Sequence, residues 1–435
     1  YSQIISFKVY LMNFIDIYFT GKTRPALFYY GWMVVFASFI CHMFIFGVPT
    51  VMLPLLYGPM SEEFGWSRSD VTILASTKFI SGAIAAFFAG QFIQRFGARV
   101  TTLITSLVVG LTMICFIFIT ELWHLAVIGI FLGIGSISLV ITVKVIVSRW
   151  FHGRIGLALG LALLGTSAAG SILTFVLEPL MIEYGWRTAV ALLSTGIWFF
   201  ALPFFLFIAR ERPEDINLTT EGIEPNSKTR EDNLPPQFLN FSQTVKGKTF
   251  IAMGVGVFLI GFVDQGMLQH TVEFIDKDAG LGRELARWAF STIMLISILG
   301  KICFGWIFDK IAIKGVMFCY LTIGLGVVLA FPVGGMETLI IFCIARGISH
   351  GGTIVDVPYM CRQAFGPAIL PRTVGTMTMI LSAGFAAGPY IIGTLYENSG
   401  SYDSAFYLCI VLSLIAAGSL FFVRTSYRNW LKTQD

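Results

Sequence analysis

Gly90-Gln-Phe-Ile-Gln-Arg-Phe-Gly-Ala-Arg99 is a short charged turn between two long apolar runs, and Gly305-Trp-Ile-Phe-Asp-Lys310 repeats its frame 215 residues later. Gly185-Trp-Arg187 and Gly400-Ser-Tyr402 stand the same 215 residues apart. Gly165-Thr-Ser-Ala-Ala-Gly170 finds a counterpart in Gly384-Phe-Ala-Ala-Gly388. Unrelated signatures that recur in one order mark a duplicated unit. Each unit contains six apolar runs of about 20 residues, the length that crosses a hydrocarbon layer as helix. The expected spans are 31–56, 70–93, 98–120, 122–147, 156–181 and 187–209, then 249–272, 286–308, 312–333, 337–361, 372–396 and 402–424. The fold class that follows is an all-α membrane protein: twelve transmembrane helices in two pseudo-symmetric six-helix bundles.

Composition points the same way. Of the 435 residues 56% are hydrophobic and 12% charged, whereas soluble domains carry about 25% charge. The 44 glycines and 41 phenylalanines suit close helix packing and a lipid-facing surface. A net charge of +4 without a basic block argues against nucleic acid as a partner. Seven cysteines lie singly in apolar runs, so no metal site and no disulfide framework is expected. No phosphate-cradling Gly-x-x-x-x-Gly-Lys-Ser/Thr occurs, which argues against direct drive by ATP. The expectation is a chain that is not an enzyme and needs no cofactor.

The domain reading is a leader or interfacial segment at 1–28, an N-terminal bundle at 29–209, a solvated linker at 210–248, a C-terminal bundle at 249–424 and a tail at 425–435. No cleavable signal is expected. With the N-terminus inside, the inner loops and tails hold 20 lysines and arginines against 5 outside. That bias places both termini in the cytoplasm and the chain in a plasma membrane, read as a bacterial inner membrane. Function as a monomer is expected.

The four remaining cations, Lys78, Lys144, Lys301 and Arg346, fall inside expected helices. An ammonium at that depth is costly unless it meets water or an anion. Lys301 lies about 12 Å of helix from Asp309, so it either faces a wet cavity or snorkels. Lys144, close to Arg149, is expected to snorkel to the helix end, whereas Lys78 would have to travel about 12 Å to escape. Arg346, His350 and Thr353 share one helical stripe, facing an anion or paired with Asp356 or a helix-end carbonyl. Asp264, Gln265, Gln269 and His270 form a dense polar set in the seventh helix. His270 is the first candidate for proton uptake, Asp264 the second and Asp356 a further one, against a hydrogen-bonded packing cluster. His42 and Glu178 are cavity or packing residues.

The turn at Gly90, Arg95, Gly97 and Arg99, answered by Gly305, Asp309 and Lys310, resembles the signature loop of the major facilitator superfamily. That resemblance implies that these loops latch one conformation. Gln94 stands where the family has an acid, which the second copy keeps as Asp309. Tyr30-Gly-Trp32, Phe64-Gly-Trp-Ser-Arg68, Arg149-Trp-Phe-His-Gly-Arg-Ile-Gly-Leu-Ala-Leu-Gly160, Gly185-Trp-Arg187 and Gly388-Pro389 narrow it further. Together they resemble the monocarboxylate transporter and oxalate/formate-antiporter-like group. The family's substrate-pairing arginine falls on Lys301, its eighth-helix aspartate on Ser297 and its first-helix lysine on Thr50.

The resemblance implies alternating-access transport of a small organic anion through the bilayer, with protons as a possible coupling ion. The substrate-binding set is Lys301, Arg346, His270, Thr50, Ser297 and His350. Competing readings are a dicarboxylate or formate-type antiporter using Lys301 and Arg346, a drug-efflux carrier indifferent to Lys301, and a metabolite sensor acting through 209–248.

Overall fold

The computed structural model describes residues 29–66, 68–71, 73–216, 218, 240–353 and 355–426. The leader, most of the linker and residues 427–435 lie outside them, and so does the side chain of Glu178. No strand occurs among the described residues. With no water in the bilayer to satisfy backbone groups, helix is the form such apolar runs must take.

Eleven helices are long and apolar enough to cross a membrane, and a twelfth is shorter. In chain order they are α1 Gly31–Leu53, α2 Ile73–Phe96, α3 Ala98–Phe118, α4 Leu122–Trp150, α5 Ile155–Leu173, α6 Pro179–Ile208, α7 Lys248–Asp278, α8 Glu284–Ile311, α9 Ile313–Val328, α10 Met336–Phe365, α11 Leu370–Tyr396 and α12 Asp403–Phe422. The ninth stops short of the expected 333 because the chain turns after Val328. The tenth consists of two helices, Met336–Gly352 and Asp356–Phe365.

The repeat is written into the backbone. Gly65 and Gly280 have φ of 68° and 65°, Gly97 and Ala312 have 83° and 53°, and Gly185 and Gly400 have 75° and 72°. Each pair is 215 residues apart. Ala312 is the one non-glycine with positive φ among the described residues, a conformation that costs an alanine energy its glycine counterpart avoids. Gly185 breaks the helical path within α6, so the fifth crossing turns into the sixth there.

Side chains sort by helical period. On α2, Ile80, Ile84 and Phe88 are exposed while Lys78, Ser81, Ala85 and Ala89 are buried. On α8, Leu295 and Leu299 are 55% and 59% exposed, whereas Ser297, Lys301, Phe304 and Phe308 form a buried stripe. Lipid covers the first set and protein the second.

The linker end of the molecule is where α2, α4, α6, α8, α10 and α12 finish. At the opposite end Arg187 clamps Glu63 with contacts of 2.6 and 2.7 Å and donates to the Ile119 carbonyl at 2.9 Å. Trp186 Nε1 donates to the same carboxylate at 2.7 Å. The Arg187 guanidinium therefore holds the Glu63 carboxyl below its usual range. This explains locally why Phe64-Gly-Trp66 and Gly185-Trp-Arg187 occur in one chain: they meet.

Candidate functional site

Around Lys301 the seam between the halves is built from the buried stripe of α8 and from α5. Lys301, 0% exposed, donates from Nζ to Ser167 Oγ of the other half at 2.7 Å. Ser167 and Ser297 lie 2.7 Å apart, and Ser297 donates to the Met294 carbonyl at 2.6 Å. A carbonyl only accepts, so the bonds run one way, from Lys301 through Ser167 and Ser297 to Met294. No carboxylate lies within ion-pair distance of Lys301 among the described residues. Leaving such a charge uncompensated costs several kcal/mol.

Beside this chain, α1 contains a π-helical turn at His42–Gly47, a form that recurs at functional sites. His42 Nδ1 lies 3.2 Å from Thr166 Oγ1. Its Nε2 is buried with no hydrogen-bond partner among the described residues. Lys301 and Lys144 both lie within electrostatic reach of the ring.

Arg346, His350, Thr353 and Asp264 come together, but on each other. Arg346 Nη1 is 2.7 Å from Asp264 Oδ1, an ion-pair contact without hydrogen-bond alignment, and Nη2 donates to the Asp264 backbone carbonyl. His350 Nδ1 lies 2.8 and 3.1 Å from the two carboxylate oxygens, so Nδ1 carries the proton. Thr353 adds a bond of 3.0 Å. The guanidinium expected to meet water or an anion, or to pair with Asp356, is engaged by Asp264 instead.

Asp356 opens the second helix of α10, where the break frees backbone groups. It accepts from Tyr320 Oη at 2.7 Å and from the Val357 amide at 2.5 Å. Lys144 was expected to snorkel to the helix end. It is buried instead and lies within electrostatic reach of Asp356 in the other half.

His270 and Thr50 stand apart from this centre. His270 Nε2 is 2.8 Å from the Pro389 carbonyl and Nδ1 is 3.0 Å from Tyr402 Oη, near the end opposite the linker. The carbonyl requires a proton on Nε2, and in the neutral ring Nδ1 then accepts from the tyrosine. Thr50 Oγ1 donates to Phe46 O at 2.5 Å and accepts from Lys78 Nζ at 2.7 Å.

The halves close on each other at the linker end. Asp309 accepts from the Gly156 and Leu157 amides at 2.7 and 3.0 Å, a carboxylate on the amino end of α5. Gly90 packs on Pro371, and Gly305 packs so closely on Gly156 that an added Cβ would lie 2.5 Å from its oxygen. In the first copy Gly97 makes the turn and Arg99 donates to the Leu206 carbonyl at 2.6 Å. Arg95 and Lys310 lie over the rings of Phe96 and Trp306. Gly305→Val should push this end open, since overpacking costs about 1–3 kcal/mol, or roughly 5- to 100-fold in population. In a background lacking the exposed Cys115 and Cys303, spin labels at Gln94 and Arg372 should show the closed distance giving way to a longer one.

Sequence reasoning missed Ser167 and Thr166 as site residues. Their signal was present: two adjacent hydroxyls among small residues in Gly165–Gly170.

Duplicated six-helix bundles that enclose a site at their interface are an architecture that secondary carriers use. The sequence profile of the Major Facilitator Superfamily matches residues 34–271 and 253–434, and the chain belongs to that family. It is a transporter and not an enzyme. Human monocarboxylate transporter 12 is 22% identical, over 95% of this chain and 84% of the relative. The crystal structure of the human organic anion transporter MFSD10 (TETRAN) has a TM-score of 0.71 at 16% identity, covering 91% of this chain and 99% of that one. The proton:xylose symporter XylE has a TM-score of 0.72 at 14% identity, covering 91% and 96%. These two likenesses show the fold alone.

Proposed function

We propose that this chain carries small monocarboxylate anions by alternating access, proton-linked or in exchange, with Lys301 as the group that holds the carboxylate. The observation that carries this reading is a fully buried ammonium in the seam whose bonding partner is a hydroxyl and not a carboxylate. The name of the relative, monocarboxylate transporter 12, agrees with it.

Ser167, Ser297 and the unpartnered His42 Nε2 would contact the substrate, while Arg346 and His350 would act through Asp264. Asp356, buried and bonded to Tyr320 beside the break in α10, would be the group that takes up a proton. Asp309 and the glycine contacts would latch the linker end, which would face the cytoplasm, as would both termini, in a protein of the plasma membrane. The protein would work as a monomer.

The test is uptake of labelled small organic acids into proteoliposomes, with and without an inward proton gradient, and counterflow with oxalate. Saturable uptake of a monocarboxylate is expected, enhanced by the gradient unless transport is pure exchange. Oxalate exchange without monocarboxylate uptake would favour the dicarboxylate carrier, and no uptake of any acid would overturn the reading.

A further inference from the structure

A second buried cation remains without a role. Lys78 is 1% exposed on α2, and no carboxylate lies within ion-pair distance of it among the described residues. Its ammonium donates to Thr50 Oγ1 at 2.7 Å and to the Pro49 carbonyl at 3.3 Å. The rings of Phe46 and Phe79 lie 5.7 and 5.8 Å away. An ammonium has three donors, and the third has no hydrogen-bond partner among the described residues. A tether between α1 and α2 needs no charge, because a neutral amide could bond Thr50 without the cost of burying an ion. Two oxygens and two ring faces soften that cost and leave the positive charge uncancelled.

Lys78 also stands on a continuous wall that leads to the seam. Phe46, under its ammonium, stacks on His42 at 5.1 Å. His42 meets Thr166, the neighbour of the Ser167 that receives Lys301. Thr50 is roughly 12 Å of helix from His42, on the side away from the linker.

We propose that Lys78, with Thr50 and Pro49 holding its ammonium, is a second anion station, which receives a small carboxylate on the side of the seam away from the linker and passes it to Lys301. The proposal rests on the anion-carrier reading above. It adds an electrostatic step to entry from one face only, so the two faces of the membrane should differ in their response to losing the charge.

The test is thermal stabilisation of the purified transporter by lactate, pyruvate and acetate at constant ionic strength, in wild type, Lys78→Gln, Lys78→Arg, Lys301→Met and the Lys78→Gln/Lys301→Met double variant. Lys78→Gln keeps a hydrogen bond to Thr50 without the charge, and Lys78→Arg restores the charge. The single Lys301→Met variant should keep a weak saturable response, its midpoint raised about tenfold or more, and the double variant should lose it. In proteoliposomes Lys78→Gln should raise KM about fivefold or more for entry from the face opposite the linker. KM from the linker face should stay within twofold, and Lys78→Arg should restore the entry KM. If Lys301→Met abolishes every response while Lys78→Gln binds and transports like wild type, the station is overturned and the carrier reading stands. If wild type responds to none of the three acids, both fall.

Discussion

Lys301→Met should abolish substrate uptake while leaving the protein at least as resistant to heat as wild type. Truncating one partner of a buried charge pair costs about 2–5 kcal/mol of binding, or roughly 30- to 3,000-fold in affinity. The substrate carboxylate would face that loss, since Lys301 has no protein carboxylate to satisfy. The empty carrier gains, because methionine fills a similar volume without a desolvated charge. Lys301→Arg keeps the charge and offers a carboxylate two donors, so its uptake should stay within about tenfold of wild type. Uptake in proteoliposomes and melting in detergent measure the two effects. A methionine variant that transports normally would remove Lys301 from the site.

Asp264→Ala should do the reverse and damage the fold before the chemistry. Arg346 and Asp264 are both buried, and His350 and Thr353 bond the same carboxylate. Removing one partner of a buried ion pair costs about 3–5 kcal/mol, because the other is left bare. The expected result is a lower melting temperature and reduced accumulation in the membrane. Asp264→Asn/Arg346→Met removes both charges and should recover much of the stability, as measured by the same melt. A single variant as stable as wild type would show that the guanidinium finds another partner.

The membrane crossings were legible because the spans are long and uniformly apolar, and the turn at Gly185 because only glycine adopts it cheaply. Lys301 was legible as a charge in the wrong solvent. What it bonds was not. Ser167 and Lys301 are separated by 134 residues, Asp264 and Arg346 by 82, and such pairings depend on how helices are set against each other. Lys144 misled for a related reason: proximity to the helix end in sequence gave no sign of Asp356 across the seam. The position of Lys78 over Thr50 was equally out of reach, since a side chain's reach depends on which neighbour the helix faces.

Asp309 on the amino end of α5 has no acidic twin, since Gln94 holds the matching place in the first copy. A carboxylate so placed contributes about 1–2 kcal/mol, or roughly five- to thirtyfold in occupancy. Under the proposed latch, this acidic side chain would set part of the balance between the two orientations, and evolution could retune how long the carrier dwells facing each compartment by changing one codon far from the cargo.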